Sequence, residues 1–367
     1  MLQTVLVSAL AVAAAGVDAG QAVAEARVED AGASPSTSPA GVDDESAVAP
    51  AEEEPPPLAR LGWAIGETEV ELLLLASDHD RALVAAQRAR EQMGKLWRAL
   101  DEREPASDLF RLAQANGRPL ALAPDVFDAL ADAQRLARLS GGAFDPTAGR
   151  LWTLWGFSGR GTVPDTDLLK AALELVDYRR LQLEPTERTA LLTSGAQVRL
   201  GAIGRGLVLE RGVAELEQSG LSSFVLRAGG DVVVRGTKGR QPWMVGVQDP
   251  RAGGYFAAFP VLRRGAVATA GDYERYFVRA GARFHDLLDP RTGMPARCCR
   301  SATVLGRTAD EAAGLAQVVF VLGPDEGFAL LQRLDQVEAI VVDGQNRVHV
   351  TSGLLPSVRF RPPTDGR

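Results

Sequence analysis

A histidine and an aspartate stand side by side at His285–Asp286, directly ahead of the run Leu-Leu-Asp-Pro-Arg-Thr-Gly (287–293). Either side chain could take a proton from a hydroxyl as a general base, and the carboxylate could equally hold a hard cation. On a β-strand, neighbouring side chains point to opposite faces, so a site on one face can use only one of the two unless a bulge re-aims the other. The spacing alone leaves both open.

A second chemical signal is Arg205, flanked by glycines in LGAIGRGLVLERG (200–212) at the opening of an expected helix. Free amides and the positive helix end suit a phosphate there, although many helices begin this way. Three further glycine turns stand out: SGGAFDPTAGRLWTLWGF (140–157), LRAGGDVVVRG (226–236) and ATAGDYERYF (268–277). Glycine lets a backbone approach a ligand closely, and Trp152, Trp155 and Phe157 offer faces for stacking on a flat ring. Each also has a plain structural reading: a capped helix before a core tryptophan pair, a hairpin turn, or a Pro-Gly turn at 289–293.

The whole chain limits what these residues can belong to. It has 367 residues, 46% hydrophobic and 24% charged, a soluble globular balance with room for one large domain or two ordinary ones. The net charge of −7 gives no footprint for nucleic acid. The two cysteines, Cys298 and Cys299, are adjacent, which disfavours a bridge and is too few for a thiolate metal site. His79, His285 and His349 are too scattered for a histidine metal centre.

The N-terminus reads as an address rather than a fold. Residues 5–17, VLVSALAVAAAGV, form a short apolar run followed by Ala22-Val23-Ala24, so residues 1–24 are expected to be an export signal. Residues 25–57 are rich in Pro, Ala, Ser and acid, and cannot bury enough surface to offset the entropy of ordering. They are expected to be an acidic linker, with the folded part at 58–367. No stable membrane span is expected once the signal is cleaved.

The elements that must position the chemistry follow from periodicity. Residues 70–77 read as a buried strand, and helices are expected at about 79–100, 125–140, 203–220, 309–321 and 325–334. Short β-rich runs fill the interval between the third and fourth helices, and two more close the chain. The pattern predicts α+β: one domain with a mixed or antiparallel sheet and packed helices.

The order of the turns carries more than any one of them. GGAFDPTAGRLWTLWGF, GAIGRG, AGGD, DPR, ATAGDYERYF, LLDPRTGMPA and LAQVVFVLG, in that sequence, resemble the ApbE family, the FAD:protein FMN transferases. The resemblance spans nearly all of the folded part and implies a T-fold-like single domain. It implies a reaction in which FAD is split, FMN is attached through a phosphoester to a Thr or Ser hydroxyl of an acceptor flavoprotein, and AMP leaves. The acceptor would belong to an electron-transfer complex, and the protein would be periplasmic. Mg²⁺ would be expected to accompany FAD.

Carried over by position, the resemblance implies flavin contact at Gly142, Ala143, Phe144, Asp145 and Thr147. It implies further contact at Gly204, Arg205, Ala228, Gly229, Gly230, Asp231, Thr269, Gly271, Asp272, Leu287 and Thr292. Catalytic roles would fall to Asp286, His285 and Arg205. The departures are chemical. Arg205 stands where the family has Lys, Arg199 where it has Asp, and Ala270 where it has Ser. The family's base histidine sits at Asp286, one residue after His285. The helical Asp and Thr that help hold the metal are Ala313 and Gln317, so no metal ligand is matched. Two other readings therefore stand beside the transferase: a catalytically impaired FAD-binding accessory protein, and a FAD pyrophosphatase in which water replaces the acceptor hydroxyl.

Overall fold

The computed structural model describes residues 57–361. The expected export signal and nearly all of the expected linker lie outside the described residues. Eight strands form the main sheet, in the order in which they occur along the chain: Leu58–Ile65, Thr68–Leu75, Phe224–Ala228, Asp231–Gly236, Arg263–Gly271, Cys299–Gly306, Glu338–Asp343 and Val348–Val350. Every neighbouring pair is antiparallel.

Side-chain alternation sorts the two faces of this sheet. Phe224, Leu226, Val233, Ala266 and Ala268 join a core shared with the helices Ala309–Leu331, Ala202–Gln218 and His79–Ala99. Val225, Val232, Val234 and Val267 face the other way, against Trp243, Val245, Val247 and Phe259 of a three-stranded sheet made by Trp243–Gln248, Tyr255–Val261 and Arg359–Phe360. The small side chains Ala266, Ala268 and Ala302 on the helical side let the Ala309–Leu331 helix lie close to its two supporting strands.

That helix also crosses Ala202–Gln218 at short range. A Cβ on Gly206 would collide with the backbone of Ala309 and Asp310, and one on Gly314 would stand 2.7 Å from Leu136 Cδ2. Glycine at these two positions thus sets how near the helices come, which matters because both present residues to the site. Ala309–Leu331 is the one helix among the described residues long and apolar enough to cross a membrane; 61% of its most apolar window is buried as core.

The predicted α+β class holds, with corrections in detail. The main sheet is antiparallel throughout. The helices expected at 309–321 and 325–334 form one run broken by a kink at Gly323, whose φ of +84° interrupts the helix ahead of Pro324. The edge strand Leu58–Ile65 and the short helices Asp108–Gln114, Gly149–Trp155 and Thr166–Leu173 were not anticipated. Their apolar periodicity is too short to read, and their stability comes from packing against the rest.

Candidate functional site

The separate glycine turns meet at one end of the central strands of the main sheet. Pairing of Val267 with Val232 brings the end of Arg263–Gly271 beside the start of Asp231–Gly236. Over these strand ends opens a cleft of about 240 Å³. Phe144 and Asp145 reach it from the first turn, Gly201 and Arg205 from the helix opening, Asp231 from the second turn, and Thr269 and Gly271 from the strand end. Leu287 and Pro290 come from the DPRTG segment, and Ala313 and Gln317 from the long helix.

Three guanidinium groups line the cleft. Arg205 projects from the first turn of Ala202–Gln218, its Nε 3.7 Å from Asp231 Oδ2. Arg199 lies over the Trp152 ring with its guanidinium carbon 3.7 Å from the centroid, and its Nη1 donates to Glu102 Oε1. Burial pulls the Arg199 guanidinium below its ordinary value, opposed by Glu102 and Asp286, but an arginine stays charged at neutral pH. Arg275 approaches the same Trp152 ring at 5.7 Å and Asp286 Oδ2 at 3.6 Å.

Three acids face these arginines. Asp231 is 3% exposed, and its Oδ2 has no hydrogen-bond partner. Burial raises its pKa against the pull of Arg205. Glu274 lines the cleft with its residue surface still exposed to solvent, and the cleft walls stand around its carboxyl. The resulting desolvation, which Arg205 opposes and Asp231 and Asp286 reinforce, pushes its carboxyl up to about 7. A carboxylate poised there can accept a proton near neutral pH. Gly230 makes room for it: a Cβ on Gly230 would stand 3.1 Å from Glu274 Oε1.

The adjacent pair separates cleanly. The strand Ala282–His285 ends at the histidine, and a tight turn follows, closed by Leu288 N–H donating to Asp286 C=O at 3.0 Å. Asp286 therefore lines the cleft. His285 turns the other way, into the core. Its Nε2 is 2.9 Å from Ala296 O, its ring meets Phe320 edge-on at 5.4 Å, and burial lowers its pKa. The catalytic role considered for His285 is corrected on this ground: no bulge re-aims it.

Several other residues read from the sequence hold the walls of the cleft in shape. Asp145 Oδ1 accepts from Thr147 N–H at 2.8 Å and from Thr147 Oγ1 at 2.6 Å, and its Oδ2 accepts from Tyr178 N–H at 2.8 Å. Thr147 Oγ1 also accepts from Asp177 N–H at 2.9 Å. The polar atoms of this loop are thus engaged in holding it, and only the Phe144–Asp145 corner reaches the cleft. Asp272 is held by Arg251, at 2.7 and 2.6 Å, and more loosely by Arg283. Gly142, Ala143, Gly204, Ala228, Gly229 and Thr292 are not part of the lining. Trp152, one of the three rings whose faces suit stacking, lines the cleft; Glu274 and Arg275 line it too, and although they stand inside the ATAGDYERYF run the sequence reading singles out only Thr269, Gly271 and Asp272 there.

A divalent cation does not fit this lining. Ala313 offers no ligand atom, Gln317 offers a neutral amide, and Asp231 and Asp286 each lie against an arginine. Among the described residues no three His, Cys, Asp or Glu side chains converge as a metal set.

The ApbE family model matches residues 67–341 of this chain. The chain is 34% identical to the FAD:protein FMN transferase of Treponema pallidum over 67% of its own length and 73% of that protein's. It superposes on the crystal structure of the ApbE protein of Thermotoga maritima with a TM-score of 0.74 and 27% identity, covering 81% of this chain and 97% of that one. The apo flavinyl transferase ApbE of Pseudomonas stutzeri is similar at a TM-score of 0.70 and 25% identity, covering 80% and 95%.

Proposed function

The chain belongs to the ApbE family, and from that premise we propose an FAD:protein FMN transferase whose reaction takes place in this cleft. FAD lies with its diphosphate toward Arg205 and the opening of the Ala202–Gln218 helix. A Ser or Thr hydroxyl of the acceptor attacks the phosphorus on the FMN side. The bond from that phosphorus to the bridging oxygen breaks, and its electron pair leaves on AMP. The hydroxyl proton passes to a carboxylate in the cleft, for which Asp286 and Glu274 are the candidates.

The observation that carries this reading is the convergence of distant turns. Segments around 144, 201–205, 231, 269–275 and 286–290, far apart in sequence, share one hollow with arginines at its wall. In-line phosphoryl transfer asks chiefly for such positioning and for charge neutralisation.

The acceptor we infer is a flavoprotein of an electron-transfer complex. Export to the periplasm rests on the apolar run at 5–17 and the Ala22-Val23-Ala24 site. The experiment is to incubate the protein with FAD and an acceptor domain, then look for covalent flavin fluorescence on a denaturing gel. Labelled acceptor supports transfer. Release of AMP and FMN without label supports the pyrophosphatase, and FAD binding with neither product supports the accessory role.

A further inference from the structure

Resting on the flavin reading above, we propose that this cleft neutralises the diphosphate with arginine guanidinium groups in place of a divalent cation. Three such groups, Arg199, Arg205 and Arg275, line one cavity. Arg199 is held there by Glu102 and by stacking on Trp152, so its charge is fixed in place. Arg205 and Arg275 approach their acids at 3.7 and 3.6 Å, which is close enough for attraction and too far for a hydrogen bond. The nearest acid thus attracts each guanidinium without pinning it, and the forked N–H donors of both face the cleft.

A planar guanidinium matches phosphate oxygens two at a time, as a hydrated cation with its own ligand demands does not. The same arrangement repels a dication. It would stand among three positive groups, and of the three acids in the lining Asp231 and Asp286 each already balance an arginine, which leaves Glu274 as a single carboxylate against that charge. Of the two helix positions in the lining, Ala313, 2% exposed, offers only a methyl and Gln317 only a neutral amide, so the helix gives a cation no carboxylate. Arg205 is further steadied by Asp231, whose buried Oδ2 has no other partner.

The test is a binding titration of the intact protein by quenching of flavin fluorescence, run once with EDTA and once with Mg²⁺, using FAD and riboflavin as probes. ADP is followed by its competition with FAD. The dissociation constants for FAD and ADP should agree between the two buffers within about threefold, a difference of under 1 kcal/mol. Arg205→Met and Arg275→Met should each weaken FAD and ADP by roughly 10- to 100-fold, as loss of a charge-assisted hydrogen bond does. Riboflavin, which lacks phosphate, should bind both variants as it binds the unaltered protein. Thermal melts confirm that the variants are folded; Arg199 is left intact because its loss also unpairs Glu102. FAD binding that is absent in EDTA and restored by Mg²⁺ overturns this inference and leaves the flavin reading standing. No FAD binding in either buffer sinks the flavin reading as well.

Discussion

His285 and Asp286 are neighbours in the chain and face opposite sides of the same wall. Asp286 lines the cleft 3.6 Å from an Arg275 nitrogen, whereas His285 sits in the core with Nε2 2.9 Å from Ala296 O. Asp286→Ala should therefore reduce acceptor labelling by roughly 10²-fold or more, the range for loss of a general base. His285→Ala should leave the labelling rate within a few-fold and lower stability by about 1–3 kcal/mol, through a cavity and an unpaired Ala296 carbonyl. Rates at saturating FAD together with denaturant melts check both, and the reverse ranking would falsify the assignment.

Glu274 should impose a pH dependence. With its carboxyl at about 7, against an ordinary value of 4.5, the transfer rate should rise with pH and level off above neutrality. The inflection should vanish in Glu274→Gln. The stability effect has the opposite sign. A carboxyl whose pKa is raised on folding binds its proton more tightly in the native state, so stability falls as pH climbs from about 4.5 to about 7. Relative to Glu274→Gln, the unaltered protein should lose stability across that window and hold steady above it. Chemical denaturation at a series of pH values measures the difference.

Asp145 holds two donors of Thr147 in its own loop and one of Tyr178 in a distant turn, so its removal should act on the fold before it acts on the ligand. Asp145→Ala should cost about 2–4 kcal/mol, since it strands Thr147 and Tyr178 donors in a buried loop. FAD affinity should weaken only in step with the loss of folded protein. An affinity loss far exceeding the stability loss would mean that Asp145 touches the flavin itself.

Gly206 lies where two helices meet, and any Cβ there runs into the backbone of Ala309 and Asp310. Gly206→Ala should lower stability by about 1–3 kcal/mol, the usual cost of overpacking. By pushing the long helix away it should also shift Ala313 and Gln317 off the cleft wall and weaken FAD binding. A thermal melt and a flavin titration on one preparation report both effects, and an unchanged melt would contradict the close crossing.

Much of this protein was legible before any fold was in hand. The α+β class, the long helices near 79–100, 125–140 and 203–220, and the ordered glycine turns follow from local rules: apolar spacing, helix ends, and backbone conformations that favour glycine. The family resemblance puts Ala313 and Gln317 at the helical pair expected to hold a metal, and that neither carries a carboxylate is a matter of residue type alone.

What the tertiary structure decided is which way each of these residues faces. Whether His285 or Asp286 meets the cleft depends on where a four-residue strand stops and a turn begins, and that is set by its pairing with Tyr276–Arg279 and by the Phe320 surface behind it. Likewise Glu274, Arg275 and Trp152 belong together only because segments more than a hundred residues apart converge at one end of the central strands. Local spacing carries no information about such closures. Burial, charge pairing and the aim of a side chain are properties of the packed chain, and the chemistry of this cleft lives in them.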